Sequence, residues 1–215
     1  MKKGIIFDLD GTLWDSSRQV VDSWNEAFVQ EGYLREPLTV EDMQGVMGKT
    51  MDVIADTFFP KWDKDARLQL LDICGNREND YLREHGGCLY DGLKACWDEL
   101  LAMGYELYIV SNCQSGYIEA FLDHYQLWDY ITDTECYGNN KKPKADNIAL
   151  VVERNALTEA YYMGDIQGDY DATMGASSIL GRPVTFLHAS YGFGRVDADV
   201  IAVQKLRDLP QMLVR

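Results

Sequence analysis

Short apolar runs that stop abruptly at small or acidic residues punctuate this chain. Gly4-Ile5-Ile6-Phe7 runs into Asp8-Leu9-Asp10-Gly11-Thr12, which predicts a buried strand ending in a loop. Runs of the same kind occur at 106–110, 160–163 and 184–187, each followed by small or polar residues. Between them the apolar positions switch to helical spacing, as at Leu93, Trp97, Leu100 and Leu101, or Ile148, Val151 and Val152. Strand alternating with helix predicts an α/β domain with a mainly parallel, Rossmann-like sheet covered on both faces.

The rhythm breaks over residues 16–86, where several helical patterns follow one another with no strand between them. Val20, Trp24, Ala27 and Phe28 share one helical face, and Met51, Ile54, Ala55 and Phe58 another. Thr39 with Asp42 predicts a capping box, and Gly86-Gly87 a helix stop. The expectation is an all-helical cap (16–86) inserted into a core made of residues 1–15 and 87–215.

Composition narrows the partners. The chain has 215 residues, enough for one good core plus an insertion. Its formal charge of −15, from 35 acids against 20 bases, disfavours general attraction to nucleic acid or anionic membrane. No apolar stretch approaches the ~20 residues that span a bilayer. Five cysteines, odd in number and irregularly spaced, read as reduced thiols, so a cytoplasmic location is expected. Nothing in the pattern demands more than a monomer, with a dimer the alternative.

The candidate chemistry is acidic. Asp8 and Asp10 stand two positions apart at the C-terminal end of the first strand, where α/β sheets place their ligands. Gly164-Asp165-Ile166-Gln167-Gly168-Asp169 follows the strand at 160–163 and brings a second acid pair to the same edge. Four converging carboxylates repel unless a cation sits among them, and a hard divalent ion with oxygen ligands, Mg2+ first, answers that need. Ser111 and Asn112 end another strand there and offer phosphate a hydroxyl and an amide. The run Asn140-Lys141-Lys142-Pro143-Lys144 is the densest cationic cluster.

Asp-x-Asp-Gly-Thr, a strand-ending Ser, a lysine before a helix and Gly-Asp-x-x-x-Asp, in that order, resemble the haloacid dehalogenase superfamily over nearly the whole chain. The helical insertion is similar to that of its phosphoglycolate phosphatase and β-phosphoglucomutase types. The resemblance implies a nucleophile at Asp8, a general acid/base at Asp10, and phosphate binding by Ser111 and one lysine. Lys144 is favoured for its place at the helix start, with Lys142 in the Lys-Pro form as runner-up. Thr12 would add a hydroxyl or a backbone N–H. Mg2+ would be held by Asp8, the Asp10 carbonyl and Asp165, with Asp169 in support.

The implied activity is phosphatase action on a small phosphorylated metabolite through an aspartyl-phosphate. A phosphomutase is the alternative, and a non-catalytic phospho-ligand binder a weaker one. Dehalogenation needs neither metal nor a second acid, so Asp10, Asp165 and Asp169 count against it. Lys49, Trp14 and the 191–194 loop each admit a place beside the cleft or a plain structural role. His85, His124 and His188 lack metal-ligand spacing, and Cys113 reads as a buried structural thiol.

Overall fold

The computed structural model describes residues 2–33 and 36–214, so the two chain ends and positions 34 and 35 of the expected segments lie outside the described residues. The chain opens with β1 (Lys3–Phe7) and the short β2 (Trp14–Asp15), followed by α1 (Ser17–Gln30), α2 (Val40–Gln44), α3 (Met51–Phe58) and α4 (Lys64–His85). It continues through β3 (Cys88–Leu89), α5 (Leu93–Ala102), β4 (Tyr105–Ser111), α6 (Tyr117–Tyr125), β5 (Ile131–Cys136) and α7 (Tyr137–Asn140). Then come α8 (Lys144–Arg154), β6 (Glu159–Gly164), α9 (Gln167–Leu180), β7 (Thr185–Ala189), β8 (Ile201–Val203) and α10 (Leu209–Leu213).

Among the described residues six strands form one sheet in the order β5-β4-β1-β6-β7-β8, with parallel pairing throughout. β1 lies between β4 and β6, so the connections depart to opposite sides of it. That is the switch point at which a parallel sheet leaves a crevice beyond its C-terminal strand ends.

The apolar runs are continuous because both sheet faces are covered, and side chains sort by parity. Ile5 and Phe7 join Leu107, Ile109 and Met163 in one core, whereas Ile6 joins Tyr108, Val110 and Tyr162 in a second, packed under α8. The first core extends into the inserted helices through Val20, Trp24, Ile54 and Leu70.

The structure adds β5, β8 and the antiparallel β2–β3 pair to the strands expected from sequence. β5 reads Ile-Thr-Asp-Thr-Glu-Cys and lies at the sheet edge, half-buried, where a polar sequence is tolerated and carries no apolar signal. Among the described residues between β2 and β3 the regular elements are the helices α1 to α4, with no strand among them, as the periodicity predicts. Thr39 and Asp42 form the reciprocal capping box, and α4 ends at Gly86 with φ of 66°.

Candidate active site

Asp8 follows β1 directly, and its backbone N–H donates to Met163 O at 2.8 Å, which ties the first residue after β1 to β6. Asp165 follows β6 in the same way. One oxygen from each of Asp8, Asp165 and Asp169 lies within 4.8 Å of the others, and all three residues are almost completely buried.

Lys144, the first residue of α8, reaches into this group. Its Nζ donates to Asp169 Oδ1 at 2.6 Å and stands 3.0 Å from Asp8 Oδ2. Burial alone would lower the lysine pKa, but the Asp169 and Asp8 carboxylates outweigh it and hold the ammonium well above its ordinary value. Lys142 is exposed, and its backbone bonds to the side chains of Asn140 and Asn147.

Asp169 differs from its neighbours in having both oxygens occupied. Oδ2 accepts from the N–H groups of Asp165 and Ile166 at 3.0 and 3.2 Å, bracing the start of α9, while Oδ1 holds Lys144. Asp165 Oδ2 accepts from Phe193 N at 2.7 Å. Among the described residues neither Asp8 oxygen meets a donor in good hydrogen-bond geometry.

Burial, offset in part by Lys144, pushes the Asp8 carboxyl up to about 7. Burial, then Asp169 and Asp8, push Asp165 to about 8. Three buried carboxylates beside one ammonium leave negative charge uncompensated, and Asp8 and Asp165 carry the available oxygens. This donor set fits a hard divalent cation.

The backbone is shaped around these acids. Gly11 has φ of 76°, and a Cβ there would lie 2.2 Å from Asp165 Oδ2. A Cβ on Gly192 would lie 2.3 Å from Asp165 Cβ, so the loop at 191–194 packs directly against the cluster, and Tyr191 donates to Thr12 O at 2.7 Å. Of the two readings open for that loop, the structure takes the one beside the site.

Asp10 is turned elsewhere. Its Oδ1 accepts from Ser16 Oγ at 2.7 Å and Tyr117 Oη at 2.8 Å, and those two hydroxyls lie 2.8 Å apart. Burial raises the Asp10 pKa against the pull of both hydroxyls. The sequence alone does not point to Ser16 or Tyr117. A serine after the Asp-x-Asp loop and a tyrosine opening a helix are commonplace, so no local signal marks them.

Ser111, 4% exposed, ends β4, and with Asp10 it lines a cavity roofed by residues of the inserted helices. Thr12 Oγ1 is buried without a hydrogen-bond partner among the described residues. Asn112 donates to Gly48 O at 2.9 Å and so fastens the loop before α3 to the core. Lys49, exposed, lines the same cavity. Cys113 is half-buried and also lines it, rather than being fully enclosed as expected. Trp14 is fully buried against Tyr117, Phe121 and Tyr125, the packing alternative.

The comparisons with known proteins agree with this geometry. The haloacid dehalogenase-like hydrolase family matches residues 5–178. The phosphoglycolate phosphatase of Aliivibrio fischeri is 28% identical over 188 residues, covering 81% of this chain and 80% of that protein. The phosphoglycolate phosphatase of Rhodospirillum rubrum is 24% identical, covering 91% and 82%. Among solved structures, a haloacid dehalogenase-like hydrolase from Bacteroides fragilis superposes with a TM-score of 0.80 at 20% identity, over 97% of this chain and all of the other. CbbY from Rhodobacter sphaeroides, solved with phosphate, gives 0.78 at 17% identity over 97% and 96%. With the sheet order, the acid cluster and a match over most of its length in agreement, the chain belongs to the haloacid dehalogenase-like hydrolase family and stands among its phosphatases.

Proposed function

We propose that this protein is a Mg2+-dependent phosphatase of small phosphorylated metabolites that forms an aspartyl-phosphate on Asp8, with residues 16–86 acting as a cap over the core. The observation that carries this reading is the contact of Lys144 with Asp8 inside the buried Asp8–Asp165–Asp169 cluster. An ammonium fixed 3.0 Å from a carboxylate oxygen is placed to hold a phosphoryl group on that carboxylate.

In the first step an Asp8 oxygen attacks phosphorus, the P–O bond to the leaving group breaks, and Asp10 gives its proton to the departing oxygen. In the second, Asp10 takes a proton from water as that water attacks phosphorus, which frees inorganic phosphate and restores Asp8. Burial, which raises the Asp10 pKa, favours the protonated form that the acid role needs. Lys144 and the Ser111 hydroxyl hold phosphoryl oxygens, and Asp169 keeps Lys144 in place. Asp8 and Asp165, with the Asp10 carbonyl, would hold Mg2+, which would supply charge neutralisation between carboxylate and phosphate. Phosphoglycolate, the substrate named for the relatives, is the first compound to test.

The test is phosphate release from acetyl phosphate, p-nitrophenyl phosphate and phosphometabolites by wild type, Asp8→Asn and Asp10→Asn, with Mg2+ or EDTA. Borohydride trapping of the acyl-phosphate on Asp8 completes it. Metal-dependent release lost in Asp8→Asn, with the trapped adduct on Asp8, is expected. Release that survives Asp8→Asn overturns the reading.

A further inference from the structure

Glu78 of α4 is a buried acid with no part in the chemistry above. It is 4% exposed, and its Oε2 accepts from Trp24 Nε1 at 2.5 Å. The groups acting on it come from three sides: Trp24 on α1, Gln114 on the loop after β4, and Asp10 beyond β1. None of these is a cation. Burial, with the Trp24 and Gln114 bonds opposing it, pushes the carboxyl up to about 7. A glutamine oxygen would also accept from the indole N–H, so that bond alone gives no reason for an acid here.

Its location supplies one. Glu78 and Asp10 line the same cavity, walled by Trp24, Met43, Met47, Met51 and Ile54. If Asp10 protonates the leaving oxygen, the rest of the leaving group occupies this cavity, so the inference rests on the phosphatase reading above. Among the described residues the cavity has one cationic side chain, Lys49, which is exposed, and no arginine or histidine. A carboxylate on the leaving group would bring a third acid beside Glu78 and Asp10 in a largely apolar space. An ammonium would give Glu78 a counter-ion, and a hydroxyl would donate to it.

We propose that Glu78 selects phosphate esters of short aliphatic alcohols whose far end carries a hydrogen-bond donor, an ammonium or a hydroxyl, and rejects those ending in a carboxylate. Phosphoglycolate is then a poor substrate for this chain, whatever its relatives are named for.

Four nearly isosteric esters test this: O-phosphoethanolamine, 2-hydroxyethyl phosphate, propyl phosphate and phosphoglycolate, compared by kcat/KM with Mg2+ on wild type and Glu78→Gln. The expected wild-type order puts the ammonium or hydroxyl ester first and phosphoglycolate last, with at least a tenfold span. Glu78→Gln is expected to shrink that span at least tenfold. Turnover of phosphoglycolate equal to or above the donor esters overturns the proposal, as does a preference that survives Glu78→Gln; the wild-type order decides if the variant does not fold. Should wild type release phosphate from none of these esters nor from acetyl phosphate, the phosphatase reading fails separately. Calorimetric binding of the four esters to Asp8→Asn then decides the proposal: tighter binding of the donor esters supports it, and equal binding or none overturns it.

Discussion

The Tyr117 hydroxyl donates to Asp10 Oδ1 at 2.8 Å across 107 positions of sequence. Helix α6 thereby orients the proposed general acid from the far side of the cavity, and Ser16 shares the same oxygen. Hydrogen bonds to charged groups contribute about 1.5–3 kcal/mol. Tyr117→Phe should therefore lower kcat by roughly 10- to 100-fold. Because Tyr117 acts through Asp10, KM should change far less than kcat. Ser16→Ala should combine with Tyr117→Phe non-additively, since the two share one acceptor. Steady-state kinetics of the single and double variants check this.

Lys144 is the second test. Removing one partner of a buried ion pair leaves the other charge uncompensated and costs about 3–5 kcal/mol. Lys144→Met should lose stability on that scale in urea titrations with EDTA present, and turnover with it. Lys142→Ala, at an exposed position, should stay within about 0.5 kcal/mol of wild type.

Metal binding has a readout apart from turnover. A ligand at a hundredfold its Kd stabilises the folded state by about 2.7 kcal/mol. Replacing EDTA by Mg2+ should raise the wild-type Tm, and Asp165→Asn should abolish the rise. Differential scanning calorimetry measures both.

Glu78 makes a pH-dependent contribution with a definite sign. Its pKa rises from 4.5 to about 7 on folding, so the folded state binds the proton more tightly. The stability that Glu78 contributes is therefore fully present below about 4.5 and is lost as pH rises through about 7. Glu78→Gln should remove that loss, gaining on wild type across this window by at most something on the order of 3 kcal/mol. Urea unfolding at pH 5 and pH 8, with EDTA present, checks the direction.

How far these features could be read beforehand follows from their range. Phe7-Asp8, the Asp165–Asp169 spacing and the capping box at Thr39 are local patterns, set by neighbours a few positions apart, and each element they predict is found. The parallel sheet was legible because burial on both faces writes unbroken apolar runs into β1, β4 and β6. β5 left no such trace, since an edge strand can satisfy its ladder with polar residues.

By itself, then, the sequence determined the alternation of elements, the helical stretch between β2 and β3, and the placement of Asp8, Asp10 and Asp165 at strand ends, because periodicity and turn chemistry act over short range. Only the tertiary structure decided that Lys144 rather than Lys142 meets Asp8, that Asp169 spends both its oxygens on bracing, and that Tyr117 and Ser16 hold Asp10. It also decided that Glu78 is buried beside that acid. These contacts join residues far apart in the chain, and their energies come from desolvating charges that meet only when the sheet and the inserted helices close on one another.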